Sequence, residues 1–271
     1  MITLVLKEQP EVPLEAETLC PDVMATLGNE AIRELPVYLG KRQRRVEDFF
    51  EVDGEASDQI EIRGDAGNVK WIGRRMTRGR IAIIGNAGMH LGAHMKGGSI
   101  DVSGHVSDWL GGEMSGGLIR VHGNAGGQIG AAYRGSVSGM TDGTIIVDGT
   151  GGLEIGMRMK RGLIAIAGPV RDSAGLQMKG GTLIIRNGAA LRTGAWMSRG
   201  TIISLVPIQI PPTFSYAATY NPTFLRLYAR HLETFGFPLP YDDRDGAYER
   251  YIGDAAVPGK GELLVWKPRL S

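Results

Sequence analysis

The apolar positions of this chain come in short alternating pairs that return at a nearly fixed interval. Ile60 and Ile62, Ile81 and Ile83, Ile100 and Val102, Ile119 and Val121, Ile145 and Val147, Ile164 and Ile166, and Leu183 and Ile185 each stand two residues apart, the period of a half-buried strand. Their starts are separated by 21, 19, 19, 26, 19 and 19 residues, and Ile202 begins a further strand nineteen residues on. Glycine turns follow the strands, as in Gly64-Asp65-Ala66-Gly67, Gly85-Asn86-Ala87-Gly88 and Gly123-Asn124-Ala125-Gly126. Two more glycine registers recur in each unit, at Gly73, Gly92, Gly111, Gly130, Gly156, Gly175 and Gly194, and at Gly79, Gly98, Gly117, Gly143, Gly162, Gly181 and Gly200.

A methionine stands five residues before each new start: Met76, Met95, Met114, Met140, Met159, Met178 and Met197, seven of the eleven in the chain. This register places the seven extra residues of the 26-residue unit between Gly130 and Met140, as a loop around Tyr133 to Gly139. The two extra residues of the first unit fall near Trp71. Glycine-punctuated strands of this spacing exclude a helical-repeat solenoid and are too short for propeller blades. They predict an all-β fold, a right-handed parallel β-helix of seven coils of about 19 residues over residues 60–206, a rod roughly 34 Å long. Stacked methionines then fill a narrow core; a soft-metal box is the competing reading, which metal analysis would reveal.

The flanks lack the repeat. Residues 1–59 open with a strand from Ile2 to Leu6, continue through a helix capped near Thr26 or Asn29, and reach two more extended segments at Pro36 to Gly40 and Phe49 to Val52. This is expected to be a small lobe covering the first coil, whose strand edges would otherwise be exposed. Residues 207–271 form a C-terminal extension. Asn221-Pro222 starts one amphipathic helix carrying Phe224, Leu225, Tyr228, Leu232 and Phe235, which either caps the last coil or faces a partner. A final strand runs from Glu262 to Trp266.

Composition narrows the class. The 271 residues are 42% hydrophobic and 22% charged, with 41 glycines and a formal net charge of +1. No apolar run is long enough to span a membrane and Met1 opens no secretory leader, so the expected compartment is the cytoplasm. The near-neutral balance argues against a nucleic-acid partner. The single cysteine, Cys20, excludes an internal disulfide and a four-thiolate iron–sulfur site from this chain.

Strong catalytic motifs are missing: the chain has no GxxxxGK[ST], HExxH, GxSxG or CxxC. His90 and His94 share a spacing that would pair them on a helix, but they fall in a strand-and-turn coil, where it does not suggest a metal. No catalytic and no metal-binding residues are assigned. One constellation is singled out. Arg78, Lys96, Lys160, Arg161, Lys179 and Arg199 follow the methionine register, and stacking would align them along one edge. That stripe is either a solvated edge that discourages sheet aggregation or a track for an extended polyanion.

The repeat resembles the β-helical domain at the C-terminal end of the large subunit of glutamate synthase, and more closely the C subunit of formylmethanofuran dehydrogenase. Pro36-Val37-Tyr38-Leu39-Gly40 with Glu47-Asp48-Phe49-Phe50, and then Arg250-Tyr251-Ile252-Gly253-Asp254 with Gly259-Lys260-Gly261-Glu262-Leu263, resemble the segments flanking the repeats in that dehydrogenase component. The resemblance implies a non-catalytic structural subunit of a multi-subunit enzyme complex in methanofuran- and tetrahydromethanopterin-linked one-carbon metabolism. The chain's 22 arginines against 8 lysines favour the bacterial formyltransferase/hydrolase version, as in methylotrophy and formaldehyde oxidation. The implied partners are a formyltransferase subunit, an amidohydrolase-like subunit with zinc and a protein resembling the B subunit of the dehydrogenase. A methanofuran-type carrier with an acidic tail would run along the basic stripe, and no cofactor is bound by this chain. The alternatives are a glutamate-synthase-like spacer, or a self-standing β-helical enzyme with its chemistry on the Tyr133 to Gly139 loop.

Overall fold

The structure, a computed structural model, describes residues 1–242 and 244–269. The N-terminal segment contains β1 (Ile2–Leu6), β2 (Leu14–Glu15), α1 (Pro21–Met24), α2 (Asn29–Arg33), β3 (Pro36–Leu39), β4 (Arg42–Arg45) and β5 (Phe50–Gly54). The single helix expected near Thr26 or Asn29 is two short helices, because Pro21 favours the first turn of one and Gly28 interrupts the path to the next. The repeats supply β6 (Gln59–Arg63), β7 (Val69–Lys70), β8 (Arg80–Ile84), β9 (Lys96–Val102), β10 (Ser115–Val121), β11 (Asp142–Val147), β12 (Leu163–Ile166), β13 (Lys179–Ile185) and β14 (Arg199–Ser204). β15 (Ser215–Tyr220), α3 (Leu225–Glu233), β16 (Gly246–Gly253) and β17 (Gly261–Pro268) follow.

The molecule is mostly strand, organised as one large, mainly parallel sheet of 13 strands and a small one of four. Each repeat strand pairs in parallel with its counterpart one unit on, in the register read from the apolar pairs. One column of Cα partners runs Ile60, Ile81, Ile100, Ile119, Ile145, Ile164, Leu183, Ile202. It extends to Ile2 at one end and Leu263 at the other. A second column of parallel bridges joins Ala66, Ala87, Val106 and Ala125, and then Gly151, Val170 and Ala189. All seven registered methionines are fully buried, a lining of soft, adaptable side chains between the two columns.

The stack is closed by strands at both ends. β1 adds in parallel to β6 and carries β5 antiparallel on its far side. β17 adds in parallel to β14 and is followed antiparallel by β16 and β15. The helix α3 therefore does not cap the last coil. Its buried Leu225, Ala229 and Leu232 pack on the outer face of the large sheet, against Ile146, Leu163, Ala165, Ile184, Ile203 and Leu264. The reason lies in the outward strand positions. They are Glu61, Ala82, Asp101 and Arg120 in the early units but Ile146, Ala165, Ile184 and Ile203 in the later ones, so only the later stretch needs an apolar cover. Arg120 marks the border: its Nη2 donates to both Asp148 carboxylate oxygens at 2.9 and 3.0 Å and its Nη1 to the Phe235 carbonyl at 2.6 Å. Among the described residues no helix is long and apolar enough to cross a membrane.

Candidate docking face

A third corner of each unit has a backbone conformation that glycine content alone does not reveal. Among the described residues thirteen non-glycine residues adopt positive φ, between 53° and 67°. Twelve of these fall into pairs four residues apart, with one of the registered glycines between them, as in Trp71-Gly73-Arg75, His90-Gly92-His94 and Trp109-Gly111-Glu113. The conformation costs an ordinary residue about 1 kcal/mol, and here eleven of the thirteen strained amides are met by a main-chain carbonyl of the next unit. The His90 N–H donates to Asp108 O at 3.0 Å, His94 N–H to Gly112 O at 2.8 Å and Arg158 N–H to Leu176 O at 2.9 Å. Local strain is thus offset by bonds between units. Two ladders of large side chains result along one edge: Trp71, His90, Trp109, Gln128, Glu154, Ser173 and Arg192 in the first, and Arg75, His94, Glu113, Arg158, Gln177 and Trp196 in the second.

The early half of this edge is covered by the inserted loop. His90 stacks on Trp71 with ring centroids 4.0 Å apart and planes 9° from parallel, and Tyr133 stacks on Trp109 at 4.6 Å and 15°. The Tyr133 hydroxyl lies 2.9 Å from His90 Nδ1, and the Tyr133 N–H donates to Glu113 Oε1 at 2.9 Å. Burial, reinforced by the cations of Lys70 and Arg74, holds the His90 imidazole down to about 4. Burial and the nearby Glu113 carboxylate push the Tyr133 phenol up. Both rings are therefore neutral at pH 7, a packed pair that anchors the loop. His94 is held below its ordinary value mainly by burial and lies 3.4 Å from Glu113 Oε2. Among the described residues no group of three or more His, Cys, Asp or Glu side chains could hold a metal ion.

The later half of the edge is open. Val137, Arg158, Gln177, Lys179, Trp196 and Ser198 line a groove of about 650 Å³ closed on the far side by Ala256 and Val257. Trp196 is 54% exposed, held in place by its N–H donating to Asp254 Oδ2 at 2.7 Å. Arg158 donates to Gln177 Oε1 at 2.7 Å and to Ser136 O at 2.8 Å. Lys179 Nζ donates to Val137 O at 2.6 Å, so the loop tip rests on a residue of the basic stripe.

All six stripe residues are exposed, but they form two groups. Between Lys96 and Lys160 the equivalent positions are Ser115-Gly116 and Thr141-Asp142, which carry no cation and one acid. Three steps of the stack, roughly 14 Å, separate Arg78 and Lys96 from the rest. Arg78 also lies near Asp22, whose carboxylate accepts from the Thr77 N–H at 2.8 Å. Lys160, Arg161, Lys179 and Arg199 occupy three successive units, with Lys179 and Arg199 as direct Cα partners. Of these, Lys179 lines the open groove.

Sequence reading did not find the two ladders or the role of Tyr133. The signal was present in the 19-residue spacing of Trp71, His90 and Trp109, but bulky residues do not announce a left-handed backbone.

Stacked parallel strands, an uncovered edge with an exposed tryptophan and an adjoining patch of cations characterise this mostly-strand, mainly parallel protein. No family model matches the chain. Over 97 residues it is 44% identical to the C subunit of the tungsten-containing formylmethanofuran dehydrogenase 2 of Methanothermobacter marburgensis, a match covering 34% of this chain and 36% of that protein. Over 95 residues it is 38% identical to the C subunit of the molybdenum-containing formylmethanofuran dehydrogenase 1 of Methanosarcina barkeri, covering 33% and 32%. Each match thus spans about a third of the relative's length. Over nearly its full length the chain is similar to one in the X-ray crystal structure of the formyltransferase/hydrolase complex (FhcABCD) from Methylorubrum extorquens in complex with methylofuran. That similarity has a TM-score of 0.89 and 29% identity, covering 97% of this chain and 98% of the other. The chain is thus similar to formylmethanofuran dehydrogenase C subunits over about a third of its length, the group that its repeat and flanks resemble.

Proposed function

We propose that this chain is a structural subunit of a formyltransferase/hydrolase complex in one-carbon metabolism, without catalytic residues of its own. The observation that carries this reading is the likeness over 97% of the chain to a chain of the complex described with methylofuran. In this reading the stack is a right-handed parallel β-helix of seven coils over residues 60–206, with lobes at 1–59 and 207–271. The regular 19-residue parallel pairings support the coils, and the right-handed rule for parallel crossovers supports the hand.

The open groove beside Trp196 is the natural place for a catalytic subunit to dock, because an exposed aromatic rimmed by arginine and lysine is the usual make-up of an interface anchor. The partners are a formyltransferase subunit, a zinc-containing amidohydrolase-like subunit and a protein like the B subunit of the dehydrogenase. The group of Lys160, Arg161, Lys179 and Arg199 guides the acidic tail of a methanofuran-type carrier. Arg78 and Lys96 stand too far along the edge to share one short anion with them. The complex works in the cytoplasm. Purification through a tag on this chain tests the reading: the three partners are expected in fixed ratio, and a chain recovered alone as an active monomer would overturn it.

A further inference from the structure

The densest cluster of cations in the molecule lies outside the stripe. Lys41-Arg42-Gln43-Arg44-Arg45 places four in five residues, in a chain whose net charge is only +1. Residues Arg42–Arg45 are β4, exposed at every position and the terminal strand of the small sheet, in the order β4-β3-β2-β7. β4 pairs with β3 alone, matching Arg44 to Val37, Gln43 to Tyr38 and Arg42 to Leu39. On its outer edge the Arg45 N–H is taken by Asp48 Oδ2 at 3.0 Å, and the rest of the edge, around Gln43, pairs with no other strand of the small sheet.

The four cations are not equivalent. Arg45 is neutralised by Glu34 at 2.9 Å and Glu47 at 2.7 Å. Among the described residues Lys41, Arg42 and Arg44 have no carboxylate within ion-pair distance. Charge on a free edge can serve simply to keep strands from adding. The two edges of the large sheet show how little that requires here. β5 presents Glu51 and Asp53, and β15 has no charge at all, only a break in register between Tyr216 and Ala218. Two uncompensated arginines on one short strand, with Lys41 in the turn beside them, exceed that need, and an anion alongside would relieve their mutual repulsion.

We propose that β4 is a docking edge for an extended acidic segment of a partner polypeptide, which joins the small sheet as a fifth strand. Main-chain hydrogen bonds would supply affinity, as in other strand additions. Alternate carboxylates would lie opposite Arg42 and Arg44, which share one face of the strand, within reach of cross-strand ion pairing.

The test uses the full chain and a fluorescein-labelled peptide of alternating Glu and Val, followed by anisotropy. Binding is expected, weakening as salt is raised and falling at least about tenfold in the double variant Arg42→Glu, Arg44→Glu. Arg42→Ser with Arg44→Ser, a milder exposed change, should give a smaller loss with an unaltered melting temperature. The triple variant Lys160→Glu, Arg161→Glu, Lys179→Glu should bind as well as the parent. The same peptide with N-methylated amides keeps its charge but loses main-chain donors, and is expected to bind poorly. Equal binding of the N-methylated peptide would overturn strand addition in favour of charge attraction alone. Undiminished binding by the Arg42 and Arg44 variants, or no binding by the parent, would overturn the site.

Discussion

The terminal methyl of Met95 occupies the space beside Gly117 where a side chain would begin: a Cβ on Gly117 would stand 2.7 Å from it. The same relation joins Met76 to Gly98, Met114 to Gly143, Met140 to Gly162, Met159 to Gly181 and Met178 to Gly200. The methionine and third glycine registers are thus one device, each methionine reaching under the glycine of the next unit. Gly117 also has φ of +92°, so alanine there is strained twice. Gly117→Ala is expected to destabilise the protein, and so is Met95→Ala, the latter by about 2–5 kcal/mol. In the double variant the clash with the methyl is gone, so the two costs should fall short of additive by about 0.5 kcal/mol or more. Denaturant titration of all four proteins measures this, and strict additivity would contradict the contact.

The His90–Tyr133 pair gives a pH dependence with a definite sign. His90 sits at about 4 in the folded protein, well below its ordinary value. Between about 6.5 and 4 the unfolded chain therefore binds the extra proton, and stability is lost as pH falls through that window. Thermal unfolding from pH 7 to pH 5 should show a smaller decline in His90→Gln than in the parent. An equal decline in both would show that His90 does not contribute.

Tyr133→Phe keeps the stack on Trp109 and removes the hydroxyl facing His90. A loss of about 1 kcal/mol is expected, together with faster amide exchange confined to the loop from Tyr133 to Gly139. Unchanged exchange in that loop would mean that the pair does not anchor it.

Arg120 ties the end of the α3 segment to the sheet through the Phe235 carbonyl and Asp148. Among the described residues Arg120→Ala leaves Asp148 with only His122 Nδ1 as a side-chain partner, at 2.9 Å. The variant should lose about 2 kcal/mol, and proteolysis should open first around α3. Cleavage elsewhere at the parent rate and at α3 unchanged would count against this tie.

Much of this architecture was legible in the sequence because a strand stack repeats its constraints. The apolar pairs set the pairing register, and the methionine spacing located the insertion at Tyr133 to Gly139. The position of α3 was harder, since it depends on the outward residues Ile146, Ala165, Ile184 and Ile203, which a search for inward pairs ignores. The basic stripe looks continuous when only its cations are counted; Ser115, Gly116, Thr141 and Asp142 interrupt it. The aromatic cluster needs the left-handed turns at Trp71, His90 and Trp109 and a loop returning across three units, neither of which local pattern encodes.

Formyl transfer and formate release by the catalytic subunits, measured with and without this chain, test the central claim most directly. The account expects this chain alone to be inactive, and the other subunits to lose coupled turnover when it is withheld and regain it when it is restored. Turnover by this chain alone, or full coupled turnover without it, would contradict the account.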